Sequence, residues 1–175
     1  VQPIASFNYG AKLLKRVRQI FYFGLGFSFI IGIILYLAFY YFGSSIIPLF
    51  LQNDIAIRDT SLIVEIKNAM NIHFLGFVLL GINIVSAIFF QSIQRTLSSF
   101  IITFSYTLLF TLCFVLFLPK FYGFDGVIMA YPLGVLCASF ITFGIIYYER
   151  KHGTFDKPKD DYRIHNIDEK AINDF

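Results

Sequence analysis

Few side chains in this sequence are equipped for chemistry, and the densest group lies on one short stretch. In NIHFLGFVLLGINIVSAIFFQSIQ, Gly76, Asn83, Ala87 and Gln94 follow a 7-4-7 spacing. That spacing puts them on one face of a helix, with Ser86 and Gln91 flanking it. Asn83 is a costly residue in such apolar surroundings. It needs either a hydrogen-bonding neighbour on another helix or a solvent-facing cavity, and the sequence leaves both open. Tyr106 stands among Thr103, Ser105, Thr107 and Thr111, whose hydroxyls can bond back to their own helix. Tyr131 stands beside Pro132, which removes a backbone donor and can bend a helix. Asn83, Ser86, Gln91, Tyr106 and Tyr131 are therefore the candidates for lining a substrate cavity. Their chemistry is neutral hydrogen bonding and aromatic contact, which serves binding rather than bond-making.

No catalytic constellation accompanies them. The sequence has no Walker-type glycine loop, no GxSxG and no HExxH. Cys113 and Cys137 lie deep in apolar runs and read as small buried hydrophobes. His73, His152 and His165 are scattered, and no Cys/His group has metal-ligand spacing. No enzyme activity, metal or cofactor is expected. The formal net charge of +3 is too small to point to a nucleic-acid partner.

The elements that must position these residues are set by composition. The chain has 175 residues, 57% hydrophobic and 14% charged, with a mean hydropathy of +0.70. A soluble domain carries about 25% charged residues, so the solvent for this chain is a bilayer. Four stretches lack Asp, Glu, Lys and Arg: Gln19–Asn53, Asn68–Gln94, Thr96–Pro119 and Gly126–Tyr148. Each holds the roughly 20 residues needed to cross a membrane as a helix. The expected fold is an all-α polytopic bundle with spans near 20–42, 70–93, 98–118 and 126–148. The first stretch is too long for one span. FGSSIIPLF, with Gly43, Ser44, Ser45 and Pro48, is expected to end that helix. Residues 44–69 then form a loop in which LIVEIKNAM is a short helix leading into the second span.

Lys12, Lys15, Arg16, Arg18, Arg95, Arg150 and Lys151 all fall on one side of such a bundle. The excess of Lys and Arg predicts that this side, with both termini, is cytoplasmic. Aromatic pairs and triplets at 21–23, 39–42, 121–124 and 147–148 suit an interfacial belt. Residues 149–175 read as a mobile cytoplasmic tail of mixed charge.

Three stretches, QPIASFNYGAK, FFQSIQ and LPKFYGFDGVIMAYPLG, in that order and spacing, resemble the multidrug and toxic compound extrusion (MATE) transporters. The residues that carry the resemblance are Gln2, Pro3, Asn8, Tyr9, Gly10 and Ala11, then Phe89, Phe90 and Gln91, then Leu118, Pro119, Gly123, Gly126, Val127, Ala130 and Pro132. Gln94 stands where the family usually has glycine. The resemblance covers about residues 1–148. It implies a twelve-helix antiporter of two six-helix lobes that rock around a central cavity. Such a protein exports lipophilic cationic drugs in exchange for inward sodium or protons across a bacterial plasma membrane. The four spans here would be helices nine to twelve, with the remaining N-terminal helices and the bilayer as partners, and the opening VQPI would be the end of a helix cut short. Some members carry a cation-binding carboxylate in the tenth helix. That position falls near Leu80 or Gly81 here, so the sodium or proton site is expected outside this chain. The alternatives are a lipid-linked polysaccharide flippase of the same superfamily and a non-transporting four-helix assembly subunit. Flippases line their cavities with basic residues, and these spans have none.

Overall fold

The computed structural model of the chain describes residues 1–50 and 60–152. The described residues form a short helix, α1 (Gln2–Gly10), and four long ones: α2 (Leu14–Phe50), α3 (Thr60–Ser92), α4 (Thr96–Phe117) and α5 (Pro119–Lys151). The four long helices are each long and apolar enough to cross a membrane. In hydrocarbon a helix satisfies every backbone group within its own segment, and runs this apolar have no cheaper conformation.

Three expectations are corrected. The helix does not end at Gly43, Ser44, Ser45 and Pro48; α2 continues through them to Phe50. Pro48 lies inside the helix and leaves the Ser44 carbonyl without its usual i+4 donor, a local break of the kind membrane helices tolerate. LIVEIKNAM is helical and leads into the second span as expected, but it does so without a break, as the first turns of α3. The expected loop 44–69 is therefore helical at both ends, and its middle, 51–59, lies outside the described residues. KFYGFDG is also more ordered than a plain loop. Pro119–Tyr122 form one helical turn before Gly123 breaks direction with φ +58° and ψ −133°, a conformation that requires glycine. The tail past His152 lies outside the described residues, but its expected first residues do not. Glu149, Arg150 and Lys151 are the last turn of α5.

The central element is α3, which packs on α2, α4 and α5. α2 runs antiparallel to it, since Phe21 meets Phe89 at one end and Phe39 meets Phe74 at the other. α5 runs parallel to α3, with Tyr131 beside His73 and Glu149 beside Arg95. All seven Lys and Arg residues named above thus gather at one end of the bundle.

Two of the family-motif stretches are turn devices at that basic end. After α1, the Lys12 and Leu13 N–H groups donate to the Tyr9 and Asn8 carbonyls, and Lys12 is left-handed with φ +58°. After α3, the Gln94 and Arg95 N–H groups donate to the Gln91 and Phe90 carbonyls, and Gln94 has φ +62°. Both are Schellman caps, whose left-handed position favours glycine. This is the physical reason for a glycine at the position Gln94 occupies. Gln94 also falls beyond the end of α3, so it does not continue the Gly76–Asn83–Ala87 face. Between the caps lies a core of Ala5, Tyr9, Val17, Phe21, Phe89 and Phe90. Gln2, Pro3 and Gly10 are exposed at the ends of α1, while Asn8 is buried and donates to the Ile4 carbonyl at 2.8 Å.

Candidate functional site

Asn83 is fully buried against α5. Its amide nitrogen donates to the Ser139 hydroxyl at 3.1 Å and more weakly to the Val135 carbonyl at 3.4 Å. Its amide oxygen accepts from the Thr142 hydroxyl at 2.7 Å. Ser139 also donates to the Val135 carbonyl, and the one Thr142 proton is shared between Asn83 and the longer contact to the Ala138 carbonyl, so every polar side chain in the node has a partner. Ser86, one turn along α3, is equally buried, but its hydroxyl has no partner. Gln91 is exposed near the basic end, away from both.

α4 approaches this level through a π-helical stretch, Ser105–Leu109. The Thr111 hydroxyl caps it by donating to the Tyr106 carbonyl, five residues back, at 3.0 Å. Ser105 donates to the Ile101 carbonyl at 2.6 Å. Such stretches insert one extra residue and re-aim the side chains beyond it. Tyr106 is half-buried and packs against the hydrophobic core.

Toward the other end, aromatic rings form a continuous run across three helices. Phe39 of α2 stacks on Phe74 at 4.4 Å, and Phe74 lies 5.0 Å from Phe77. Phe77 tilts against Tyr131 at 6.1 Å, and Tyr131 stacks on His73 at 4.4 Å and 15°. Gly76 makes the last contacts possible: a Cβ there would fall 3.0 Å from the Tyr131 ring and 3.2 Å from Pro132 Cα. Beyond the run, α3 and α5 enclose a cavity of about 580 Å³. Met70, Ile72, Phe124 and Ile128 supply its apolar wall, and among the described residues Glu65 and Asp125 are the charged groups on it. The volume falls in the roughly 300–1,000 Å³ range of small-molecule sites.

The five candidates read from the sequence thus separate. Asn83 and Ser86 lie in the α3–α5 seam, Tyr106 and Tyr131 lie toward the aromatic run, and Gln91 stands apart. Sequence reasoning passed over Ser139 and Thr142, although their three-residue spacing in CASFIT puts them on one helix face. It also gave His73 no role beyond the interface, because only the fold brings a tyrosine of α5 over its ring.

A polytopic bundle with a polar seam, an aromatic run and a drug-sized cavity has the form of a membrane transport protein. The MatE family model matches residues 1–116 of the 175. The chain belongs to the MatE family, whose members are membrane transporters rather than enzymes. No curated protein and no solved structure matches it.

Proposed function

We propose that the chain is the C-terminal portion of a secondary multidrug exporter. It moves lipophilic cations out of the cell in exchange for sodium or protons, with two helical lobes rocking across a bacterial plasma membrane. The observation that carries this reading is the character of the half-buried surface between α3 and α5. It presents stacked aromatic faces and a cavity whose charges, among the described residues, are the carboxylates of Glu65 and Asp125. A ring face attracts a cation by about 0.5–2 kcal/mol, more as water is excluded. An anionic, lipid-linked substrate would meet like charge on the same wall, which favours drug export over a flippase. The Asn83 node supports the mechanism differently. Rocking requires each lobe to move as one body, and hydrogen bonds from α3 to α5 hold two of its helices in register. Among the described residues, every Asp and Glu lies near a helix end, which favours a coupling-ion site outside this chain. The basic end of the bundle supports a cytoplasmic placement of both ends of the described chain.

The test is dye export. Inverted membrane vesicles carrying the intact transporter are expected to concentrate ethidium only while a sodium or proton gradient is imposed. Tyr131→Ala should slow that uptake several-fold at unchanged membrane abundance. Gradient-independent ethidium movement would overturn the antiport reading, and full activity in Tyr131→Ala would remove the aromatic run from the substrate path.

A further inference from the structure

At the basic end, α4 and α5 part around a second cavity, of about 650 Å³. We infer that it is a binding site for one anionic phospholipid, with the phosphate at Arg95 and an acyl chain along the apolar wall. The inference rests on the bilayer placement of the helices and not on the export reading.

The wall is built for a chain. Ile101, Ile141 and Ile145 form it, and Gly144 leaves a trough between them. A Cβ at Gly144 would meet nothing within 4 Å, so this glycine borders open volume rather than a packed neighbour. Tyr148 stands at the mouth, 58% exposed, at the depth where aromatic side chains mark the headgroup layer.

The charge at the mouth is positive. Among the described residues Arg95 and Glu149 are the charged groups that line the cavity, and they differ in access. Glu149 is 6% exposed and already engaged: Ser98 donates to its Oε1 at 2.5 Å, and Arg95 Nε lies 3.7 Å from its Oε2. The Arg95 Nε is buried on the Glu149 side, yet the side chain as a whole is 32% exposed, so it is the rest of the side chain that reaches the mouth. A planar guanidinium with donors to spare suits a phosphate. Arg150 and Lys151 follow directly on α5, and Lys12, Lys15, Arg16 and Arg18 share the same end. Basic pockets between transmembrane helices at a membrane surface bind anionic headgroups in this way. The carboxylate, sequestered behind Ser98, holds Arg95 at the mouth without cancelling its outward face.

The experiment uses the intact protein in phosphatidylcholine vesicles containing spin-labelled phosphatidylglycerol, read as the motionally restricted fraction relative to spin-labelled phosphatidylcholine. Arg95→Gln should lower the preference for phosphatidylglycerol about fivefold, the factor that one basic side chain contributes near a charged surface. Gly144→Leu changes no charge and should lower it equally by filling the trough. Arg150→Gln, outside the cavity, should lower it less than twofold. An unchanged preference in Gly144→Leu would overturn the inference, since the lipid would then only be condensing on a basic surface. So would displacement of the lipid by free glycerol phosphate, which would mark a site for a soluble anion. Gly144→Leu decides the matter even if Arg95→Gln fails to fold.

Discussion

The two seams that α3 makes with its long neighbours are built on different principles. Against α2 it packs by shape. A Cβ on Gly32 would fall 2.8 Å from the Phe77 carbonyl oxygen and 2.9 Å from Val78 Cα, and one on Gly81 would fall 3.0 Å from Ser28 Cβ. Phe21 stacks on Phe89 at 4.2 Å nearby. Against α5 it has one close approach as well, Gly76 at Tyr131 and Pro132, but at mid-helix it packs by direction, through the Asn83 node. In lipid, apolar burial gives no drive for helices to meet, so close van der Waals approach and interhelical hydrogen bonds must supply it. The first device tolerates no added volume. The second tolerates volume better but requires particular donors and acceptors. A moving helix bundle has use for both, one fixing distance and the other fixing register.

Breaking the shape seam should have the largest effect. Gly32→Leu sets a side chain against backbone atoms that no rotamer change can clear. The expected loss is about 3 kcal/mol or more, the upper part of the overpacking range. It should appear as a lowered temperature of thermal inactivation in nanodiscs, with faster hydrogen exchange in α2 but not in α5. Equal acceleration in both helices would show that the seams are not separable.

The directional seam should yield less. Asn83→Leu removes the bonds to Ser139 and Thr142, but both hydroxyls keep their own backbone acceptors. Interhelical hydrogen bonds of this kind contribute about 0.6 kcal/mol on average and up to about 1.7. A small loss of thermal stability with a larger loss of ethidium export would identify register as the property that Asn83 protects. Export falling only in step with stability would reduce it to packing.

The smallest effect sharpens the contrast. Ser86→Ala deletes a buried hydroxyl that bonds to nothing. Its thermal stability should stay within about 0.5 kcal/mol of the parent. A larger loss would mean that polarity in general, rather than the Asn83 bonds, holds α3 to α5.

Much of this was legible before any coordinates. The absence of charge in four long stretches forced four membrane helices, because lipid leaves the backbone no other way to satisfy its polar groups. The QPIASFNYGAK and FFQSIQ stretches pointed to the family, and both close a helix with the same cap. Asn83 stood out because an amide is costly in hydrocarbon. Other features were not legible. Gly43 and Pro48 looked like a helix end by soluble-protein rules, whereas membrane helices tolerate both residues in their interior. Glu149 looked like the first residue of a polar tail, since nothing along the chain shows that Ser98 and Arg95 fold onto it.

By itself, then, the sequence determined the environment, the number of long helices, the common basic end and the family. Each follows from local composition or from contiguous spacing. Only the tertiary structure decided what the polar residues do. α3 and α5 are more than 25 residues apart in the chain, and no periodicity within one helix reveals which face of another it meets. Asn83 therefore became an interhelical tie, Tyr131 a stacked partner of His73, and Arg95 the exposed member of a pair whose acid is sequestered.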